Sequence, residues 1–395
     1  MRKAKFIHLN PKMQYWSPKK VYTTPLVSVI IPAFNAETYI RRTINSVLGQ
    51  TYKRIEVLVV DDGSTDRTSE IVESIAEKDS RIFLIQQQNA GVADARNLAI
   101  QEAKGEFIAN IDADDIWYPE NIEKQMEQML LAGPTVGVVY AWSVVIDEND
   151  LLTGEFLSSY MEGEVYRGLI YKYFVGNASA SLIRRACFDK VGVYNAEFKK
   201  LNAQGCEDWD LHLRIAESYQ FRVVPRFLIQ YRQKAGSMSA DFQPMARSHA
   251  LILKDVSRRH PEIHPRIYRW SFSSFHMRLA VLSARFGGHQ SALSRLYKAV
   301  AMDPVMSFLH HNLYAVLAKV VITRTIGRCA SRSLWSSGSR AKPNKRTGPE
   351  QQTMMISHIM RRMFFHGLLP SRVYEKIRFI KLSRNRGTSR KHRMI

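Results

Sequence analysis

The chain has 395 residues and a formal net charge of +21, so it can bury at least one large core and is expected to meet an anionic partner: nucleic acid, an acidic membrane surface or a phosphorylated substrate. Its three cysteines, Cys187, Cys206 and Cys329, are too far apart for a zinc knuckle, imply no disulfide framework and indicate a reducing compartment. No apolar stretch approaches the ~18 residues of a membrane span, and the basic N-terminus lacks the apolar core of a signal peptide, so we expect a cytoplasmic protein.

Short apolar, β-branched runs alternate with segments of helical periodicity over the first half of the chain. Residues 1–25 are polar, basic and punctuated by proline, which predicts an extension outside the core. Predicted strands cover 27–31, 55–60, 81–86 and 107–111, and predicted helices cover 37–49, 67–76 and 93–103. Strands that alternate with helices in this way are typical of a doubly wound α/β sheet.

Polar residues follow three of these strands directly where each strand ends. They are Pro32 to Asn35, Asp61 to Asp66, and Asp112 to Asp115. In an open α/β sheet, ligands bind just beyond the carboxyl ends of the strands. Ordinary turns would account for each segment separately but not for their gathering on one edge, so the pattern predicts a binding site there.

The stretch after the fourth strand carries three carboxylates, Asp112, Asp114 and Asp115. Carboxylate oxygens suit Mg²⁺ or Mn²⁺, and Mg²⁺ typically takes one or two of them together with water and substrate phosphates. An acidic cluster can equally cap a following helix, and residues 119–131 predict a helix with proline in its first turn. On this stretch alone both interpretations stay open.

The second half of the chain contains further strands and one more acidic motif. Strands are predicted at 136–146, 177–184 and 221–231, with a helix at 185–191. Glu207-Asp208-Trp209 precedes a helix that runs through Ile215 and Ala216.

Five motifs occur in an order that resembles family 2 glycosyltransferases, which have a GT-A fold. They are SVIIPAFN at residues 28–35, VVDDGSTD at 59–66, the stretch 91–97, DADD at 112–115 and EDW at 207–209. The resemblance covers about residues 26–240. It implies a nucleotide-binding, Rossmann-like mixed sheet flanked by helices, to which the remaining sequence adds a C-terminal helical extension.

The resemblance implies a nucleotide-sugar donor, usually a UDP-sugar, that lies across the strand ends. Four consecutive residues would line the base pocket: Pro32, Ala33, Phe34 and Asn35. Asp62 would accept from an imide N–H of the base, although it could also close the turn at Gly63. Arg96 would reach the nucleotide, although an arginine early in a helix can also be solvated.

The resemblance also implies a metal and a base. Asp112 and Asp114 match the family's DXD acids, with Ala113 between them at the donor; Asp114 is the expected direct ligand of Mn²⁺ or Mg²⁺, and Asp115 a supporting or capping residue. A cation there would offset charge on the departing UDP. Transfer with inversion needs a base for the acceptor hydroxyl. In this sequence the matching pair is Glu207-Asp208. Asp208 is the expected base, and Glu207 is the close alternative.

Several other residues near these motifs have more than one possible role. Trp117 could pack under the sugar or belong to the core. Cys206 is expected to be a small buried residue rather than a nucleophile. Arg232 is a candidate phosphate partner, but Gln233 stands where the family more often has histidine. His260 and His264 have the spacing of a helical metal pair, which Pro261 and Pro265 would break, so they are expected to be structural.

Beyond the resemblance, the pattern predicts a helical extension at 241–330 with one tetratricopeptide-like helical pair, a polar linker at 331–352 and a basic tail at 353–395. The tail suits either a helix on an anionic membrane or a solvated segment, and both stay open. No nucleic-acid-binding module is recognisable, so nucleic acid is not expected.

These features predict an inverting, metal-dependent glycosyltransferase that acts on a saccharide or lipid-linked saccharide in cell-surface polysaccharide or glycan synthesis. It would be cytoplasmic, and peripheral at the inner face of the plasma membrane if the tail binds there. One alternative is a nucleotidylyltransferase, but Pro32 to Asn35 offers no glycine-rich, basic phosphate loop. The other is a non-catalytic protein that binds through its basic C-terminal region. Against it stand the retained acids of the motifs, which are Asp62, Asp112, Asp114 and Asp208. The sugar, the acceptor and the linkage have no readable code.

Overall fold

The computed structural model describes residues 24–234, 242–286 and 288–321. The predicted linker and basic tail lie outside the described residues, as does nearly all of the N-terminal extension, so these assignments stay predictions.

One nine-stranded mixed sheet forms the centre of the molecule. Its strands are β1 (Val27–Ala33), β2 (Ile55–Asp61), β3 (Ile82–Gln86), β4 (Phe107–Asn110), β5 (Ile116–Trp117), β6 (Val136–Ile146), β7 (Leu152–Leu157), β8 (Ser181–Arg184) and β9 (Gln220–Arg232). Their order is β3-β2-β1-β4-β8-β6-β9-β5, and β7 pairs with β6. This arrangement confirms the predicted α/β class and mixed sheet.

Helices cover the sheet and then continue as a separate group at the end of the described chain. They are α1 (Ile40–Leu48), α2 (Thr68–Ala76), α3 (Val92–Glu102), α4 (Asn121–Ala132), α5 (Tyr166–Tyr171), α6 (Arg185–Val191), α7 (Glu197–Lys200), α8 (Glu207–Ala216), α9 (Phe242–Arg259), α10 (Pro265–Arg285), α11 (His289–Met302) and α12 (Pro304–Phe308). Residues 311–321 are also helical. None of the described helices is long and apolar enough to cross a membrane.

The parallel strands bring the predicted strand-end motifs to one edge. β1 runs parallel to β2 and β4, and β2 runs parallel to β3. Every residue of β1 and β2 is buried, as expected for parallel strands with helices on both faces. The loops after β1, β2 and β4 therefore meet at the carboxyl edge of this part of the sheet.

One predicted strand is shorter than expected. The strand predicted at 177–184 begins only at Ser181, because Ala178–Ala180 form a 3₁₀ turn. Two side chains hold this segment: Asn177 donates to Ser143 at 2.9 Å, and Ser179 donates to Asp115 at 2.5 Å. Polar contacts with the site therefore replace ladder bonds at the start of this segment.

The C-terminal helices take part in two cores. α9 and the first half of α10 pack into the core of the sheet through Met245, Ile252 and Phe275. The second core joins α10, α11 and residues 311–320; its buried members are Met277, Ala280, Ala284, Ala292, Leu296, Ala299, Leu313, Val316 and Val320. α10 and α11 form the helical pair that the sequence predicts.

The histidines before α10 serve the helix boundary. α9 ends at Arg259 and α10 begins at Pro265, so no helix carries His260 and His264 together. The His264 ring accepts from the backbone N–H of Arg266 at 3.1 Å and caps α10. His264 is thus structural, as expected.

Candidate active site

A cavity of about 610 Å³ lies at the carboxyl edge of β1, β2 and β4, and α8, α9 and α10 close its other side. Every site residue predicted from the sequence lines it: Pro32, Ala33, Phe34, Asn35, Asp62, Arg96, Asp112, Ala113, Asp114, Glu207 and Asp208. The fold thus gathers residues from five separate motifs into one space.

The loops after β1 and β2 are held together by their own polar groups. The backbone N–H of Asn35 donates to the Ser64 hydroxyl at 2.9 Å, and the Asn35 side chain accepts from the Thr65 N–H at 2.8 Å. Asn35 has a positive φ of 48°, a conformation that Asn tolerates better than most residues. These bonds leave the Phe34 ring 52% exposed at the cavity.

Asp62 anchors the loop before α3 rather than the turn at Gly63. Its carboxylate accepts from the Gln87 side chain at 2.6 Å and from the backbone N–H groups of Ala90 at 2.7 Å and Gly91 at 2.8 Å. The turn is instead closed by Asp61, which accepts from the Ser64 N–H at 3.0 Å. The predicted turn role of Asp62 was therefore wrong, because neighbouring residues at a strand end point in different directions.

Arg96 is a buried cation between the two acidic motifs. Its guanidinium donates to Asp112 at 2.6 Å and lies 5.2 Å from the centre of the Tyr194 ring. Burial alone would lower the pKa of Arg96, but the negative charges of Asp112, Asp208 and nearby groups raise it above its ordinary value. The interpretation of Arg96 as a solvated residue is excluded, since only 5% of it is exposed.

Asp114 and Asp115 are adjacent but differ in role. Asp114 lines the cavity, and one of its oxygens lies 3.2 Å from the Lys234 ammonium. Asp115 is fully buried, where it accepts from the Arg232 backbone N–H at 2.8 Å and from Ser179. Burial raises the pKa of Asp115 well above its usual range, and the charges of Asp114 and Asp112 raise it further. Asp115 thus ties the end of β4 to β9.

The capping interpretation of this acidic cluster does not hold. α4 begins at Asn121, its N-cap is Glu120, and no side chain caps that end. The three acids lie between β4 and β5, several residues before the helix. Their oxygens serve the cavity and the sheet instead.

The DXD acids offer the kind of oxygen donors that a shared cation needs. Asp112 and Asp114 have partly exposed side chains, and each uses one oxygen in its ion pair with Arg96 or Lys234. Among the described residues, no group of three or more His, Cys, Asp or Glu could hold a metal ion by itself. Two carboxylates suit Mg²⁺ or Mn²⁺ when substrate phosphates supply further ligands. The donor set therefore fits a cation that binds together with a diphosphate.

Glu207 and Asp208 begin α8, and both line the cavity. Glu207 is 3% exposed, and both of its oxygens accept from the Gly205 N–H, at 3.0 and 2.9 Å. Asp208 is partly exposed, and one of its oxygens accepts from the Trp209 N–H at 2.8 Å. Burial raises the pKa of Asp208, which Arg96 opposes. Asp208 is the carboxylate of this pair that solvent and substrate can reach.

Tyr173 and His212 extend the network behind Asp208. The Tyr173 hydroxyl is close enough to the Asp208 carboxylate to lower its pKa, and it lies 3.1 Å from Nδ1 of His212. Its ring stacks on Trp209 with centroids 5.7 Å apart. Burial lowers the pKa of His212 to about 3, so the imidazole is neutral.

Two other predictions near the site have clear outcomes. Trp117 is a core residue, since it is 3% exposed and its indole N–H donates to the Ser179 carbonyl at 2.8 Å. Cys206 is buried, and burial raises the pKa of its thiol, which disfavours a nucleophilic thiolate. Both outcomes remove candidates for the chemistry.

Arg232 is not a free phosphate partner. Its guanidinium donates to the carbonyls of Asp114 at 2.7 Å and Asp147 at 2.5 Å, and to the Asp150 carboxylate at 2.5 Å. All of its side chain is buried. The prediction was wrong because Asp147 and Asp150, in the loop after β6, accept hydrogen bonds from this guanidinium.

Several cavity residues escaped the sequence analysis. Lys234 follows the flagged Gln233 directly, and its ammonium lies over the Tyr39 ring at 4.4 Å. Tyr173 lies in a segment without readable periodicity, and Arg278 lies in α10, far along the chain from any motif. Of these three residues, only Lys234 could have been suspected from the sequence, because it is a positively charged residue directly beside a motif.

A sheet of this order, with a cavity at the carboxyl edge of its parallel strands, has the GT-A glycosyltransferase fold. Staphylococcus aureus TarS shares it with a TM-score of 0.50 and 18% identity, over 81% of this chain and 56% of that protein. At this level of identity the likeness concerns the fold alone.

The chain belongs to glycosyl transferase family 2, whose family model matches residues 28–192. It is 37% identical over 235 residues to the Escherichia coli UDP-Glc:alpha-D-GlcNAc-diphosphoundecaprenol beta-1,3-glucosyltransferase WfaP, covering 58% of this chain and 86% of that protein. It is 30% identical over 212 residues to an uncharacterised glycosyltransferase of Methanocaldococcus jannaschii, covering 53% of this chain and 71% of the relative.

Proposed function

We propose that this glycosyltransferase is inverting and metal-dependent, and that it transfers a sugar from a nucleotide-sugar, best matched by a UDP-sugar, to a saccharide or lipid-linked saccharide of cell-surface polysaccharide or glycan synthesis. One observation carries the proposal: Asp112, Asp114 and Asp208 line one cavity, and the charges of Asp112 and Asp208 both stabilise the buried cation of Arg96. The name of the E. coli relative, with a UDP-sugar donor and a lipid-linked acceptor, supports this choice.

The donor's nucleotide would occupy the edge formed by the loops after β1 and β2. The half-exposed Phe34 ring offers a flat apolar surface to a base, and Pro32, Ala33 and Asn35 form the rest of that wall. Asp62 uses three of its about four acceptor sites on the loop before α3, which leaves one for a base N–H.

The donor's diphosphate would lie by Asp112, Ala113 and Asp114. Asp114 would hold Mn²⁺ or Mg²⁺ with help from Asp112, and the bound cation would offset charge on the departing nucleoside diphosphate. Arg96 and Lys234 add positive charge to the same wall. Lys234 takes the place that the sequence analysis gave to Arg232.

Asp208 would act as the base. As the acceptor hydroxyl oxygen bonds to the sugar C1, its proton passes to Asp208, the bond from C1 to the phosphate oxygen breaks, and the nucleoside diphosphate leaves. A raised pKa suits this task, because a base closer to neutral holds the proton better once it has taken it. Glu207 is less suited, since its own turn engages both oxygens.

Thermal unfolding with UDP-, GDP- and TDP-sugars, with and without Mn²⁺, tests the proposal. We expect UDP-sugars to raise the melting temperature and Mn²⁺ to increase that rise. Asp114→Ala should remove the Mn²⁺ increment, and Asp208→Asn should abolish transfer yet keep donor binding. If no nucleotide-sugar stabilises the protein in any metal, the proposed function is wrong; if Asp208→Asn loses donor binding, the base is misassigned.

A further inference from the structure

Arg278 brings a positive charge to the cavity and has no anionic partner among the described residues. It is half-buried in the cavity wall, and no described residue forms a hydrogen bond or ion pair with it. The other cations that line the cavity are all engaged: Arg96 with Asp112, Lys199 with Asn89, Arg232 with Asp150 and Lys234 with Asp114. Arg278 therefore differs from every other described cation of this cavity.

The position of Arg278 is on the wall that carries the proposed base. One helical turn before it, Phe275 packs against Trp209 with ring centroids 5.9 Å apart, and Trp209 follows Asp208 in α8. Burial raises the pKa of the Cys206 thiol, and the charge of Arg278 opposes that rise, which places the guanidinium near the start of α8.

The surroundings of Arg278 favour a strong interaction with an anion. Phe275 and Met245, both buried, line the cavity with it, so water competes less here than at an open surface. A guanidinium presents a planar fork of N–H donors that matches the oxygens of a phosphate, and charge-assisted bonds of this kind are about twice as strong as neutral ones. An unpaired, half-buried arginine is thus suited to a phosphate-bearing ligand.

The phosphate that Arg278 binds could belong to either of two substrates, the donor or the acceptor. In the proposed function the donor's diphosphate lies by the DXD acids, where Arg96 and Lys234 already supply cations. The acceptor hydroxyl must approach Asp208, on the same side as Arg278.

We propose that Arg278 binds the phosphate of a phosphate-linked acceptor, so that the enzyme takes a sugar carried on a lipid diphosphate rather than a plain saccharide. The inference rests on the proposed function, because Asp208 defines the acceptor side. It narrows the acceptor from two classes to one.

Binding of farnesyl diphosphate to the full chain, saturated with UDP and Mn²⁺ to fill the donor site, tests this assignment. We expect Arg278→Gln to weaken binding about tenfold or more, and Arg278→Lys to weaken it less, since lysine keeps the charge but not the fork. Arg269→Gln is the matched control, because Arg269 is exposed on the same helix and lies outside the cavity wall. The Arg269→Gln variant should bind farnesyl diphosphate as the unaltered protein does. The three variants should bind neutral farnesol equally.

Three results would overturn the assignment. The unaltered protein could fail to bind farnesyl diphosphate, Arg278→Gln and Arg269→Gln could weaken that binding equally, or Arg278→Gln could weaken the binding of UDP. The last result would show that Arg278 contacts the donor instead. UDP binding is measured separately in each variant, so failure of the proposed function would show as absent UDP binding in the unaltered protein. Melting temperatures check that Arg278→Gln is folded.

Discussion

Tyr173 lies between the proposed base and a buried histidine. Its hydroxyl oxygen is 3.1 Å from Nδ1 of His212, and its hydroxyl lowers the pKa of Asp208, which means that it stabilises the charged carboxylate. Nε2 of His212 is buried, and no described residue bonds to it. We propose that Tyr173 is a positioning residue for Asp208.

Removing the Tyr173 hydroxyl should impair the base without affecting the donor. Burial raises the pKa of Asp208, and the nearby Tyr173 hydroxyl lowers it, so Tyr173→Phe should raise it further. The acid limb of the kcat/KM profile should move to higher pH, and kcat should fall about tenfold, since a hydrogen bond to a charged group contributes about 1.5–3 kcal/mol. Tyr297→Phe, at an exposed position of α11, should change neither. An unmoved pH profile with a lower melting temperature would reduce Tyr173 to a packing residue.

At the scale of elements, the loop before α8 is constrained by a glycine. Gly205 has a φ of 107°, and a Cβ there would lie 2.7 Å from Cγ of Met245 on α9. Its N–H also holds the Glu207 carboxylate. The start of α8, which carries the proposed base, thus depends on close contact with α9.

Gly205→Ala tests this dependence. The positive φ alone should cost about 1–3 kcal/mol of unfolding free energy, and the clash with Met245 should add to it and displace the start of α8. Gly154→Ala is the matched control: Gly154 has a φ of 82° and nothing within 4 Å of its added Cβ. Chemical denaturation and transfer assays should show lower stability in both variants but reduced transfer only in Gly205→Ala. Equal transfer in the two would mean that the contact with α9 does not position α8.

The elements that sequence reasoning predicted and those it missed differ in burial. β6 was predicted at its observed bounds because an eleven-residue apolar run, buried throughout, has one simple interpretation. β5 has two residues and β7 is only partly buried, so neither carries a pattern that separates it from a loop. The sequence could predict that the motif acids share one site, because each follows a predicted strand or begins a predicted helix. Tyr173 and Arg278 lie in no motif, and only the packing of the folded chain brings them to the cavity.

At the scale of the whole molecule, the excess of positive over negative charge lies at the two ends of the sequence. Residues 1–23 carry six Lys and Arg and no acid, and residues 322–395 carry 18 against two acids. The remainder is nearly balanced, so the net charge of +21 says little about the cavity. We propose that the basic tail, 353–395, provides the contact with an anionic partner.

An anionic membrane is the partner that this charge and the proposed lipid-linked acceptor favour. We expect the full chain to bind vesicles with about one third anionic phospholipid, and to lose binding as salt rises, because screening weakens attraction between basic segments and the membrane surface. A shortened chain that ends at residue 330 should bind much less, and neutral vesicles should bind neither form. Co-sedimentation measures all four combinations, with the transfer activity of the shortened chain on a water-soluble acceptor as the check on folding. Equal binding of both forms to anionic vesicles would show that the tail is solvated and that the membrane hypothesis is wrong.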